Sequence, residues 1–270
     1  MDDSYLTYVN RLVRMTLPET YRSQLPKIQP SPKFYRGNDN QWHPASFPGY
    51  TIITPPKTDD PANAACYDRM AEQQQQLVRQ LDPDLLQPVP ADSFHVTLAD
   101  LIWDDAFSAA TENPEFEGLL QQSISNIFRD VQPSVAASEP IRWQVLGLLI
   151  MPRAIALALA PVSESAYDRI IKLRRALYQS PDLISLGIEQ QYHFTAHVTL
   201  GYFGNVPEQL FEDPSAADAF ADRMTHLMTE FNQYWQGETS YDLVVNRAEL
   251  RKFDTMMHYY RQPDWASLEF

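Results

Sequence analysis

Apolar and polar residues alternate with a period of two through Gln191-Tyr192-His193-Phe194-Thr195-Ala196-His197-Val198-Thr199-Leu200-Gly201, the signature of a half-buried strand. His193, Thr195, His197 and Thr199 fall on one face, and Tyr192, Phe194, Ala196, Val198 and Leu200 on the other. One face suits a core; the other carries only imidazoles and hydroxyls. The arrangement occurs once more about 100 residues earlier, where Ser93, His95 and Thr97 oppose Phe94, Val96 and Leu98.

The remaining pattern predicts the elements around these two strands. Phe47 to Thr54 reads as a first strand closed by Pro55-Pro56, and Asn63 to Leu81 as a helix in which Gln73 to Gln76 form solvated turns. Asn113-Pro114 opens a helix running to about Val131, and Ile141 to Ile150 with Ala154 to Val162 flank a short turn, giving a hairpin. Ser163 caps a helix to Gln179 whose basic last turn, Arg174-Arg175, suits the helix dipole. Residues 214 to 236 form a further helix, and Tyr241 to Arg251 and Trp265 to Phe270 are strand-like. Residues 1–45 read as an extension outside the main fold, with one amphipathic helix over Tyr5 to Met15 and five prolines that prevent regular structure beyond it. Its Lys33-Phe34-Tyr35-Arg36-Gly37 and Trp42-His43 fit either surface packing or a pocket rim. The order of elements is that of an α+β protein with two similar halves over residues 46–270.

Composition narrows the chemistry. A formal charge of −14 opposes long nucleic acids and anionic membranes, so a phosphate ligand is expected to be small. No apolar run approaches the roughly 20 residues that span a bilayer, Met1-Asp2-Asp3-Ser4 does not resemble a signal peptide, and Cys66 is the only cysteine; a cytoplasmic location is expected. Cys66 reads as a passive helix residue. With 8 glycines and neither a phosphate loop nor a Rossmann pattern, nucleotide-fuelled chemistry is not indicated. Nothing in the pattern calls for a cofactor, and a monomer is expected.

A strand sets residues i and i+2 roughly 6.5–7 Å apart on one face, so each motif aims an imidazole and a hydroxyl at the same cleft. Near neutral pH one imidazole can take a proton while another, beside a bound anion, gives one. On opposite sides of a phosphodiester they would activate water and protonate the departing oxygen, with threonine hydroxyls donating to the non-bridging oxygens. A single His-x-Thr is an ordinary strand tripeptide; two, each in an apolar frame, point to function.

This pair, with the second copy running into Leu200-Gly201-Tyr202-Phe203, resembles the 2H (two-histidine) phosphoesterase superfamily, which includes cyclic nucleotide phosphodiesterases and bacterial RNA cyclic phosphodiesterases. The resemblance covers the order of elements from about Phe47 onward. It implies two pseudo-symmetric lobes, each an antiparallel sheet with helices on its outer face, around a central cleft, each lobe supplying one His and one Thr. Those roles fall on His95, Thr97, His197 and Thr199. The long N-terminal segment, closing strand and tail depart from shorter members and look more like an uncharacterised bacterial branch. The expected activity is metal-independent hydrolysis of a small cyclic or 2′-linked nucleotide phosphodiester, the partner being a small nucleotide or short oligonucleotide.

Other residues are candidates for substrate binding. Tyr50, Tyr202 and Trp42 could stack on a base or be buried aromatics; Arg153 and Arg251 could meet the phosphate or be solvated ends. His193 could sit at the cleft mouth or be a solvated strand end, and His193-Phe194-Thr195 also fits His-x-Thr in register. Two other functions stay open. One is a metal-dependent hydrolase in which His193, His197 and Asp100 bind zinc; the other is a module that binds a nucleotide without turnover. Which histidine is acid and which base is not legible from two such similar strands.

Overall fold

The computed structural model describes residues 3–191, 193–236 and 242–270. Tyr192, expected on the apolar face of the second motif, and Tyr241, expected to open the late strand, lie outside the described residues, as do Met1 and Asp2. The chain begins with helices α1 (Tyr5–Met15) and α2 (Pro18–Gln24), a hairpin of β1 (Phe34–Arg36) and β2 (Trp42–Pro44), then β3 (Gly49–Ile53) and α3 (Ala64–Gln80). β4 (Leu86–Pro88), β5 (Thr97–Trp103), α4 (Asp104–Ala110) and α5 (Phe116–Val135) lead to the long hairpin β6 (Ile141–Met151) and β7 (Ala154–Pro161). α6 (Glu164–Tyr178), α7 (Pro181–Ser185), β8 (His197–Phe203), α8 (Gln209–Glu212) and α9 (Pro214–Gln233) follow. The chain closes with β9 (Asp242–Val245), β10 (Arg247–Phe253), β11 (Tyr259–Tyr260) and β12 (Ser267–Glu269).

Among the described residues the strands form two five-stranded antiparallel sheets and the small β1–β2 hairpin. One sheet runs β11-β10-β3-β5, with β12 on β10; the other runs β4-β8-β7-β6-β9. The fold is α+β with two lobes, and each lobe holds one motif strand. α1, α2 and α9 pack on β6 and β7, while α4 lies against β3 and β5, α5 against β12 and α6 against β5. Phe94, Val96 and Leu98 on one motif and Ala196, Val198 and Leu200 on the other are buried, each large side chain contributing about 1.5–3 kcal/mol. Their burial fixes which face of each motif looks outward.

The late strand expected over 241 to 251 is instead two strands. β9 pairs with β6 in one sheet and β10 with β3 in the other, the chain crossing between lobes at Asn246. α4 was not visible in the pattern. Regular structure also continues past Pro18, because proline at the first helical position loses no hydrogen bond and α2 starts on it. Tyr8 and Leu12 of α1 and Tyr21 of α2 are fully buried in the main core. Gln73 and Gln74, expected in solvated turns, are 2% and 6% exposed, since α3 turns that face inward beside β4.

Candidate active site

The two motifs are built alike. His95 lies just ahead of β5 and its Nδ1 is 2.7 Å from the Ser93 carbonyl; His197 opens β8 with Nδ1 2.7 Å from the Thr195 carbonyl. A carbonyl only accepts, so in both rings Nδ1 carries the proton and Nε2 is left as the working nitrogen. The backbone around each ring is pinned. Val96 N–H donates to the Thr54 hydroxyl (2.9 Å) and Ala196 N–H to the Tyr8 hydroxyl (3.0 Å). Arg11 of α1 donates to the Phe194 carbonyl (2.6 Å) and the Thr195 hydroxyl (2.8 Å), so the N-terminal helix holds the approach to His197.

Each strand then breaks its alternation just after the motif, and β5 breaks it again at Leu101. The register slips at Leu98 in β5 and at Leu200 in β8, a bulge that adds one residue before the side chains return to the same face. The returning residue is Asp100 in one lobe and Tyr202 in the other, and both face the cleft with the His and Thr of their own motif. The bulge carbonyls are satisfied from helices: Arg174 of α6 donates to Leu98 O (2.5 Å), and Gln74 of α3 to Leu200 O (2.6 Å) and Val89 O (2.8 Å). Arg174, expected to complement the helix dipole in a basic last turn, is buried. Gly201 lets β4 close on β8, since a Cβ there would stand 2.7 Å from the Gln87 carbonyl.

The cleft between the sheets measures about 820 Å³ and is lined by His95, Thr97, His197 and Thr199 together. Burial drives the His95 pKa down to about 4; the Ser93 hydrogen bond opposes this, and the charges of His197 and Arg251 add to it. His197 is also lowered by burial, but its Thr195 hydrogen bond and the Asp100 carboxylate pull upward. Asp100 is itself raised, chiefly by desolvation, against the attraction of Lys33, His197 and Arg174. The lobes are thus alike in geometry and unlike in charge.

Of the other candidates, Tyr202 and Arg153 line the cleft and four do not. Tyr50 is buried, its hydroxyl donating to Glu117 (2.6 Å), and it packs among Phe107, Phe116 and Trp265. Arg251, expected at a strand end near solvent, is 4% exposed and donates to Glu249, Asp59 and the Tyr259 carbonyl. Trp42 lies in β2, away from the cleft, and His193 is exposed outside it. Sequence reasoning missed Tyr259, whose ring packs on His95; Asp100, weighed only as a zinc ligand, lines the cleft, and Lys33 of the N-terminal segment follows the pocket-rim alternative rather than surface packing. With His193 outside the cleft, a zinc site of His193, His197 and Asp100 is not assembled. Among the described residues no cluster of three or more His, Cys, Asp or Glu is placed to hold a metal. Nor is any described helix long and apolar enough to cross a membrane.

No protein-family profile and no curated protein matches the chain. Solved structures do. The chain shares its fold with a conserved protein of unknown function, ATU0111 from Agrobacterium tumefaciens, at TM-score 0.53 and 14% identity, covering 87% of this chain and 92% of that one. A protein described as a phosphoesterase aligns at TM-score 0.44 and 14% identity over 83% of this chain and 99% of its own. E. coli LigT complexed with NADP+ aligns at TM-score 0.44 and 12% identity over 83% and 98%.

Proposed function

We propose that this chain is a two-histidine phosphoesterase that hydrolyses a small cyclic or 2′-linked nucleotide phosphodiester without a metal. The observation that carries the reading is the paired motif: two imidazoles, each with Nδ1–H spent on the carbonyl two residues back, sharing one cleft with two threonine hydroxyls. In this reading the phosphodiester sits between them, its non-bridging oxygens accepting from Thr97 and Thr199. Such donors are aimed where charge grows in the transition state.

The charge asymmetry supports one division of the proton transfers. His95, held neutral by burial, takes a proton from water at Nε2 as the water oxygen bonds to phosphorus. His197, lowered in the free protein, becomes cationic when the bound phosphodiester anion adds to the pull of the Asp100 carboxylate, and gives its Nε2 proton to the ester oxygen as the P–O bond breaks, leaving a phosphomonoester and an alcohol. A second water-borne proton exchange resets both rings.

The test is phosphorus NMR of the protein in excess chelator with 2′,3′-cyclic nucleotides, 3′,5′-cyclic nucleotides and 2′-5′-linked dinucleotides. A monoester signal is expected for at least one class, and its position identifies the leaving oxygen. His95→Ala and His197→Ala should each lower turnover by about 10²–10⁴-fold, the usual worth of a general acid or base. Wild-type turnover in either variant would sink the assignment; a cyclic phosphate that binds tightly and stays unchanged would make the protein a binding module.

A further inference from the structure

Lys33 stands where a cation is costly. Its ammonium lies 4.6 Å from the Phe47 ring centroid and 4.8 Å from that of Tyr202, and its polar contact is the Tyr202 hydroxyl at 3.4 Å. Among the described residues no carboxylate pairs with it. Burial pulls its pKa down to about 8. The charged groups that reach it are Asp100 from β5, which attracts, and Arg153 from the β6–β7 turn and His197 from β8, which repel. A half-buried cation without a direct counter-ion opposes folding, and a methionine would fill the same space at no electrostatic cost.

The backbone that carries this lysine is nonetheless fixed on both sides. Gln29 N–H donates to Pro152 O (2.8 Å) and Ser31 N–H to Phe203 O (2.8 Å), which lays the segment along the mouth of the second lobe. Lys33 N–H meets the Ser31 hydroxyl (3.3 Å), and the Lys33 carbonyl accepts from Ala45 N–H (2.9 Å). Phe34 then packs on the Tyr202 ring, centroids 6.0 Å apart. Tyr202 and Thr199 both stand on β8 and line the cleft. The order Thr199, Tyr202, Lys33 forms a row of donors running out from the second motif.

We propose that Lys33, delivered by the N-terminal segment, is an anion-binding residue of the cleft, its ammonium joining the Tyr202 and Thr199 hydroxyls on the oxygens of a bound phosphate. This deepens the phosphodiesterase reading and rests on it for the substrate. It gives residues 29–33 a part in recognition and explains how a chain of net charge −14 keeps a local cation for an anionic ligand. The first lobe, with Asp100 at the position equivalent to Tyr202, has no such row, so the phosphate is held mainly from the second lobe.

Sulfate is the probe, because its charge is constant from pH 7 to 10. Isothermal titration should show wild type binding sulfate at pH 7 and at least tenfold more weakly at pH 9.5, as Lys33 loses its proton. Over that range both site histidines, their pKa values lowered, are already mostly neutral in the free protein. Lys33→Met should bind at least tenfold more weakly at pH 7 and lose the pH dependence; Lys33→Arg should bind at both pH values. Lys33→Met should also melt no lower than wild type, since it removes an unpaired cation. The proposal is overturned if Lys33→Met binds sulfate like wild type, if wild type binds none, or if Lys33→Met melts well below wild type, which would make the lysine structural. A wild type that binds sulfate through Lys33 yet turns over no phosphodiester would sink the enzymatic reading and leave this one standing.

Discussion

The Tyr259 ring stands edge-on to the His95 imidazole, with centroids 4.2 Å apart and planes at 61°. Its own position is set from behind, where Arg251 donates to its carbonyl (3.2 Å). The ring is thus part of the wall that keeps water off His95. Tyr259→Ala should let water in and carry the His95 pKa from about 4 towards the ordinary 6.5, moving the acid limb of kcat/KM to higher pH. Tyr259→Phe should leave it in place. Titration of the His95 ring protons by NMR reads the shift directly.

Asp100 acts on the other histidine. Asp100→Asn removes the negative charge that favours protonated His197, so the alkaline limb of the rate should move to lower pH while the acid limb stays. A pH–rate profile in which both limbs move together would contradict the separate roles.

The depressed histidines also make stability depend on pH. Between about 4 and 6.5 the unfolded chain binds a proton that the half-buried His95 does not, so stability is full above about pH 6.5 and falls as pH drops through that window. His197, lowered as well, adds in the same direction. Thermal melts at pH 7.5 and 4.5 should show a smaller acid loss for His95→Gln than for wild type.

Arg251 should behave as a structural residue. Glu249 is fully buried and takes Arg251 at 2.5 Å through Oε2 and Arg247 at 2.8 Å through Oε1, while Asp59 holds Arg251 at 2.7 Å. Arg251→Met unbalances these carboxylates, and removal of one partner of a buried pair costs about 3–5 kcal/mol. Chemical denaturation should register that loss. Sulfate affinity measured on the folded fraction should hardly change.

Gln74 bears on both fold and site. Gln74→Leu leaves the Val89 carbonyl without its side-chain donor, a penalty of about 1–3 kcal/mol, and leaves Leu200 O held by Val89 N–H (3.1 Å) alone, which loosens the bulge that turns Tyr202 into the cleft. Denaturant titration should show the lost stability, and turnover should fall with it.

What could be read beforehand had a simple period. The alternation around His95 and His197 repeats, and burial follows it residue by residue, so the paired histidines and threonines were legible. Asp100 was not, because a bulge converts the expected spacing of two into three and nothing in Leu98-Ala99-Asp100 announces it. Arg251 and Arg174 look in sequence like any strand-end or helix-end cation; only the carboxylates and carbonyls brought from distant segments bury them. Gln74 is one of four consecutive glutamines, and only the helix phase separates it from the solvated ones. Lys33 sits in a proline-rich stretch without periodicity, where pattern gives no direction to a side chain.

The crossing at Asn246 binds the two halves of the chain into one folding unit. The sheet that carries His95 is completed by β10, β11 and β12 from the end of the chain, and the sheet that carries His197 takes its edge, β4, from the beginning. A cut between the motifs would therefore leave each fragment with a sheet whose missing strands only the other fragment encodes. Such fragments would be obliged partners, insoluble or unfolded alone and competent together, so the motif repeat does not mark two separable modules.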